Sequence, residues 1–147
     1  MNVLRPLNDY CSDVLSGRIV TGVLQRAAVE RFRRDLKRAE SPDCPFYFDE
    51  GKAAFAVGFI QLLKHTTGES AGKFFKLEVW QLFIVANLFG WRWKSNGRRR
   101  FRKAHIEIGR KNGKTALAAA IALLCFVMDG EGRPEVYAAA TRRAQSK

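Results

Sequence analysis

The clearest periodic stretch runs from Thr21 to Glu40, where Leu24, Ala28, Phe32 and Leu36 recur every four positions among Arg31, Arg33, Arg34 and Lys37. Apolar residues at that spacing lie along one side of a helix, so an amphipathic helix is predicted, ended by Ser41-Pro42. A second helix is predicted after Asp49, whose carboxylate suits an N-cap, with Ala54, Val57, Ile60 and Leu63 as its buried stripe until His65-Thr66-Thr67-Gly68 breaks the pattern. A third runs from about Leu77 to Phe89, with Gly90 placed to stop it.

The pattern changes at Trp91. Asn96-Gly97 is a strong turn dipeptide and separates Trp91-Arg92-Trp93-Lys94 from Arg98-Arg99-Arg100-Phe101-Arg102, which predicts a basic hairpin. Ala104, Ile106 and Ile108 alternate with His105 and Glu107 as in a strand with one apolar face. From Thr115 to Met128 nearly every residue is apolar, so a helix buried on most sides is expected. Glu135 to Ala140 reads as a second strand, and Thr141 as the cap of a further helix.

The chain has 147 residues, 47% of them hydrophobic, enough for one domain with a core. Its opening lacks the basic and apolar segments of a signal peptide. The longest apolar run, Ala116 to Met128, is shorter than the roughly 20 residues that span a bilayer. A cytoplasmic address is therefore expected. Cys11, Cys44 and Cys125 have neither a disulfide-like nor a zinc-like spacing and read as three reduced thiols. Lys and Arg outnumber Asp and Glu by 26 to 14, and the net charge of +12 favours a polyanionic partner such as nucleic acid or an anionic surface.

Between the alternating stretch and the long apolar helix stands Gly109-Arg110-Lys111-Asn112-Gly113-Lys114-Thr115. Strand, glycine-bearing turn and helix in that order make a phosphate-binding loop. Backbone N–H groups at the helix start face the phosphate oxygens, and Gly113 allows close approach because it has no Cβ. Lys114 supplies charge to the β- and γ-phosphates, and the Thr115 hydroxyl can ligate Mg2+. Gly-x-x-x-x-Gly-Lys-Thr would place its first glycine at position 108, where this chain has Ile108, and Gly109 stands one place late. A surface turn at a helix start is the plainer alternative, and the strand and helix around the loop weigh against it.

These residues resemble the large terminase subunits of tailed phages, in particular those whose P-loop reads Arg-Lys-Asn-Gly-Lys-Ser/Thr. The resemblance takes in Arg110-Lys111-Asn112-Gly113-Lys114-Thr115, Leu77-Glu78-Val79-Trp80-Gln81 and Leu88-Phe89-Gly90-Trp91. It extends to Tyr10, Val14-Leu15-Ser16-Gly17, Arg31-Phe32-Arg33-Arg34-Asp35-Leu36 and Tyr137-Ala138-Ala139-Ala140-Thr141-Arg142-Arg143-Ala144-Gln145. It implies an α/β fold in which a helical N-terminal region, 1–90, leads into a RecA-like ATPase core at 91–147, broken off after its second strand. It implies ATP and Mg2+ as cofactors, Gln81 on the adenine and Arg110 on the γ-phosphate in the manner of an arginine finger. The partners implied are double-stranded DNA, the small terminase subunit and the portal protein, with a homo-oligomeric ring for the full-length family in the host bacterial cytoplasm. The site expected is thus Gln81 with Gly109 to Thr115, Arg110 and Lys114 catalytic and Thr115 on the metal.

For Gln81 the alternative is a polar helix position beside Trp80; for Arg110 it is a solvated or phosphate-neutralising side chain. Arg92, Lys94, Arg98, Arg99, Arg100, Arg102 and Lys103 could track a DNA backbone or form a solvated face. Phosphoryl transfer also needs a carboxylate near the phosphates, and Asp129 lies roughly 20 Å along a helix from Thr115, at the wrong end. ATPase activity of this stretch alone is left open, because it is expected to lack the acidic ATPase motif and the nuclease domain that the resemblance implies for the full-length family. The remaining classes are an unrelated P-loop enzyme such as a helicase or kinase, and a non-catalytic basic DNA-binding protein.

Overall fold

A computed structural model describes residues 2–66, 71–109, 112–128, 135 and 137. Its elements, in chain order, are α1 (Leu4–Ser16), α2 (Val23–Ala39), β1 (Phe46–Phe48), α3 (Glu50–Leu62), α4 (Val79–Gly90), β2 (Trp91–Trp93) and α5 (Lys114–Met128). The described chain is helical with a small two-stranded antiparallel sheet, in which Phe46 faces Trp93, Tyr47 faces Arg92 and Phe48 faces Trp91.

Helix α1 buries Leu7, Tyr10, Cys11 and Val14, an unbroken helical stripe. Pro6 falls in its first turn, where a missing N–H removes no helical bond, and Gly17 ends it at φ +82°. Burial pushes the Cys11 thiol up to about 11 against the opposing charge of Arg33, so it stays protonated and unreactive at neutral pH. Helix α2 follows the expected bounds but not the expected stripe: Val29, Phe32 and Asp35 are buried, Ala28 and Leu36 pack at the edge, and Leu24 is exposed. Leu24 lies in the first turn, where the chain comes off the α1 connection. The Asp49 carboxylate caps α3 by accepting from the Lys52 N–H at 2.8 Å.

The core is aromatic at its centre. The Phe32 ring meets Phe48, Phe83 and Trp91 edge-on, with centroids 5.7, 5.6 and 6.0 Å away. Trp91 is fully buried and donates its indole N–H to Asn87 Oδ1, while Asn87 in turn donates to the Phe83 carbonyl. A buried amide is tolerated here because both of its ends are bonded.

Gly90 does not stop α4 as a left-handed cap; it is the last residue of the helix, with Trp91 following in extended conformation. Its role is proximity. A Cβ at this position would come within 2.5 and 2.8 Å of the Phe48 ring and 3.1 Å of Ala53 Cβ. Gly90→Ala should therefore destabilise the fold by about 1–3 kcal/mol, read from the midpoint of chemical denaturation, because Phe48 is wedged between Phe32 and Trp91 and has little room to yield. An unchanged midpoint would show that the ring moves freely.

Two expectations fail downstream. Residues 104–108 are irregular and largely exposed rather than a strand, because alternation describes a strand only where another pairs with it, and no partner lies among the described residues. Most of the second strand expected at Glu135–Ala140, together with Thr141, lies outside the described residues, as do Asp129 and Glu131. Helix α5 is also not buried on most sides. It packs on α3 and buries Leu117, Ala120 and Leu124, whereas Leu123, Phe126 and Val127 are about half exposed.

Candidate functional site

Helices α4 and α5 begin close together, although 35 residues separate their first positions. Gln81, in the first turn of α4, is 6% exposed, and its Oε1 accepts from the Glu78 N–H at 2.9 Å. That bond is half of a capping box and satisfies a backbone donor at the start of the helix. It also fixes the carboxamide, whose Nε2 lies 3.7 Å from the position a Cβ would take on Gly113. Gln81 is thus neither an exposed polar position nor remote from the loop.

Gly113 has φ +70°, and its carbonyl accepts from the Leu117 N–H at 2.9 Å, closing the first turn of α5. That left-handed conformation favours glycine, so the residue type is dictated by the turn as well as by access. The Asn112 Nδ2 lies 3.3 Å from where a Cβ on Gly109 would stand, so the loop folds back on itself. The N–H groups of Lys114, Thr115 and Ala116 precede the first intrahelical bond and point away from the helix end, as in sites that hold phosphate. Lys114 and Thr115 are exposed on that turn. Arg110 and Lys111 lie outside the described residues.

A cavity of about 230 Å³ opens between the two helix starts, and His65, Phe75, Trp80, Gln81, Asn112 and Gly113 line it. It brings together Gln81 and two residues of the loop. His65 and Phe75 were not anticipated as part of it: His65 stands in a stretch whose polar residues signal only a helix end, and Phe75 in the chain leading to α4. Among the described residues no three His, Cys, Asp or Glu side chains gather as a metal cluster.

The Asn96-Gly97 turn forms, with Gly97 at φ +65° and Asn96 Oδ1 accepting from the Arg98 N–H at 2.9 Å. Backbone bonds from Trp93 N to Arg98 O and from Arg100 N to Trp91 O hold the returning arm, while β2 pairs on its other edge with β1. The cations of this segment have different uses. Arg92 donates to the Phe89 and Gly97 carbonyls, Lys94 to Pro42 O, and Arg99 lies over the Phe89 ring and reaches Cys125 Sγ on α5. Arg100 turns inward to Asp35, at 2.7 Å, over the Phe46 ring. Arg98, Arg102 and Lys103 are exposed.

A glycine turn opening a helix beside a carboxamide-lined cavity, on a helical scaffold with a small sheet, is an arrangement suited to a phosphate-bearing ligand. Residues 79–147 match the family model "Terminase large subunit, ATPase domain", a stretch that starts at the first residue of α4 and takes in the loop. An ATPase-domain family implies nucleotide use. Neither the curated proteins nor the solved structures include a match to the chain. No helix among the described residues is long and apolar enough to cross a membrane.

Proposed function

We propose that this chain works within a terminase large subunit, binding ATP with Mg2+ at Gly109 to Thr115 to drive the packaging of double-stranded DNA. The cavity shared by Gln81, Asn112 and Gly113 is the observation that carries the reading, since it sets a polar group able to meet a base beside a turn able to hold phosphate. In this reading Lys114 neutralises the β- and γ-phosphates, the Thr115 hydroxyl ligates Mg2+, and Arg110 reaches the γ-phosphate. Gly109, Lys111, Asn112 and Gly113 form the backbone cradle. Gln81 keeps its Nε2 donors and one lone pair on Oε1, the donor and acceptor that the adenine edge requires.

The RecA-like core belongs to the same proposal, assembled around residues 91–147 on the helical region 1–90. So do the DNA, small-subunit and portal contacts, the ring assembly and the host cytoplasm, which the family match over residues 79–147 supports. The bound metal supplies charge neutralisation at the phosphates; the chain's own residues bind and orient them.

The test is calorimetric titration of ATP with Mg2+ into the wild type and Lys114→Ala. A charge-assisted bond of about 1.5–3 kcal/mol is removed, so binding should weaken roughly 10- to 100-fold. Equal affinities would exclude the loop as the phosphate site.

A further inference from the structure

The segment between α3 and α4 does more than connect them. Lys64 and Phe74 form an antiparallel bridge, the His65 N–H donates to Lys73 O at 3.0 Å, and the Phe75 N–H donates to Leu63 O at 2.8 Å. Gly72, at φ +81°, donates its N–H to the His65 carbonyl at 2.8 Å. These bonds set the His65 imidazole on the Phe75 ring, centroids 4.2 Å apart and planes 17° from parallel. Both residues line the cavity that also contains Gln81 and Gly113.

Resting on the nucleotide reading above, we infer that the His65–Phe75 pair is the stacking wall for the nucleotide's base. The base lies against these rings with its edge at Gln81, and the phosphates run to Gly113 and the first turn of α5. Size supports the division. Pockets for drug-sized ligands run roughly 300–1,000 Å³, whereas this cavity is about 230 Å³, suited to a ring system with the charged tail outside. Chemistry supports it too: every base offers a π-face, so an aromatic wall adds affinity without choosing the base, and the choice falls to a hydrogen-bonding group such as Gln81.

The prediction separates ring from phosphate. Affinities of the 147-residue chain for ATP, GTP and inorganic tripolyphosphate, each with Mg2+, are compared with those of Phe75→Leu, which keeps apolar bulk, and His65→Ala. Each variant should bind ATP and GTP roughly tenfold more weakly, with the ATP to GTP ratio unchanged and tripolyphosphate binding intact. Phe75→Tyr, which keeps the ring, should restore wild-type affinity. A purely structural role would lower all three ligands together, and that result, or unchanged nucleotide binding in both variants, overturns the wall. Failure of the underlying site is distinguishable: the wild type would then bind neither ATP nor tripolyphosphate, or Lys114→Ala would bind both as well as the wild type does.

Discussion

Arg100→Ala should cost the fold about 3–5 kcal/mol, a large part of the roughly 5–15 kcal/mol that holds a domain of this size together. The guanidinium lies 2.7 Å from Asp35, with side-chain exposures of 17% and 6%, so water cannot replace it once it is removed. Leaving the Asp35 carboxylate buried without its partner is the main penalty. The loss of packing adds to it, because the Arg100 guanidinium stacks 3.7 Å above the Phe46 ring and also sits near Trp91 and Phe101. The pair ties α2 to the segment after β2, across 65 positions of sequence. Guanidinium denaturation should show the loss in Arg100→Ala and a smaller one in the double variant Asp35→Leu with Arg100→Met, where no charge is stranded. If Arg100→Ala unfolds at the same midpoint as Arg98→Ala, the pair is not a structural tie.

That tie marks a limit of what is legible in the sequence. Arg98, Arg99 and Arg100 are three identical letters, and composition assigns them one role as a basic run. In the fold one is exposed, one lies over Phe89 and contacts Cys125, and one is paired inside. The difference arises because backbone bonds at Trp91 and Trp93 set the direction of each side chain, a tertiary fact. Local signals were legible: the span of α2, the Asp49 cap, the start of α5 at the loop and the Asn96-Gly97 turn each depend on residues within a few positions.

What depended on distant partners was not. Phe46-Tyr47-Phe48 has no alternation to betray a strand, and it becomes one by pairing with Trp91-Arg92-Trp93. Residues 104–108 have the alternation but no partner among the described residues. The stripe of α1 is regular in Leu7, Tyr10, Cys11 and Val14, yet Pro6 and the short polar steps around it mask the period. Within the site, the loop and Gln81 could be named separately, and the closeness of Gln81 to Gly113 could not, since it follows from how α4 and α5 each pack on α3.

The same sorting of cations determines how DNA binding should be tested. Arg100 is unsuitable for substitution because its loss should destabilise the fold, and Arg92, Lys94 and Arg99 have partners within it. Arg98, Arg102 and Lys103 are exposed on one continuous segment of a chain whose net charge is +12. If that segment follows a duplex backbone, each cation that neutralises a phosphate releases counterions, and the slope of log affinity against log salt is about 0.9 per contact on B-form DNA. Replacing all three with alanine should flatten the slope by up to about 2.7. Over a fourfold rise in salt the wild type should then lose about 40-fold more affinity than the variant, measured by fluorescence anisotropy on a duplex of arbitrary sequence. The loss should be uniform across sequences, because backbone contacts position a protein without reading bases. Identical slopes for wild type and variant would return these three side chains to a solvated face and move the search for a polyanion surface to the arginines of α2.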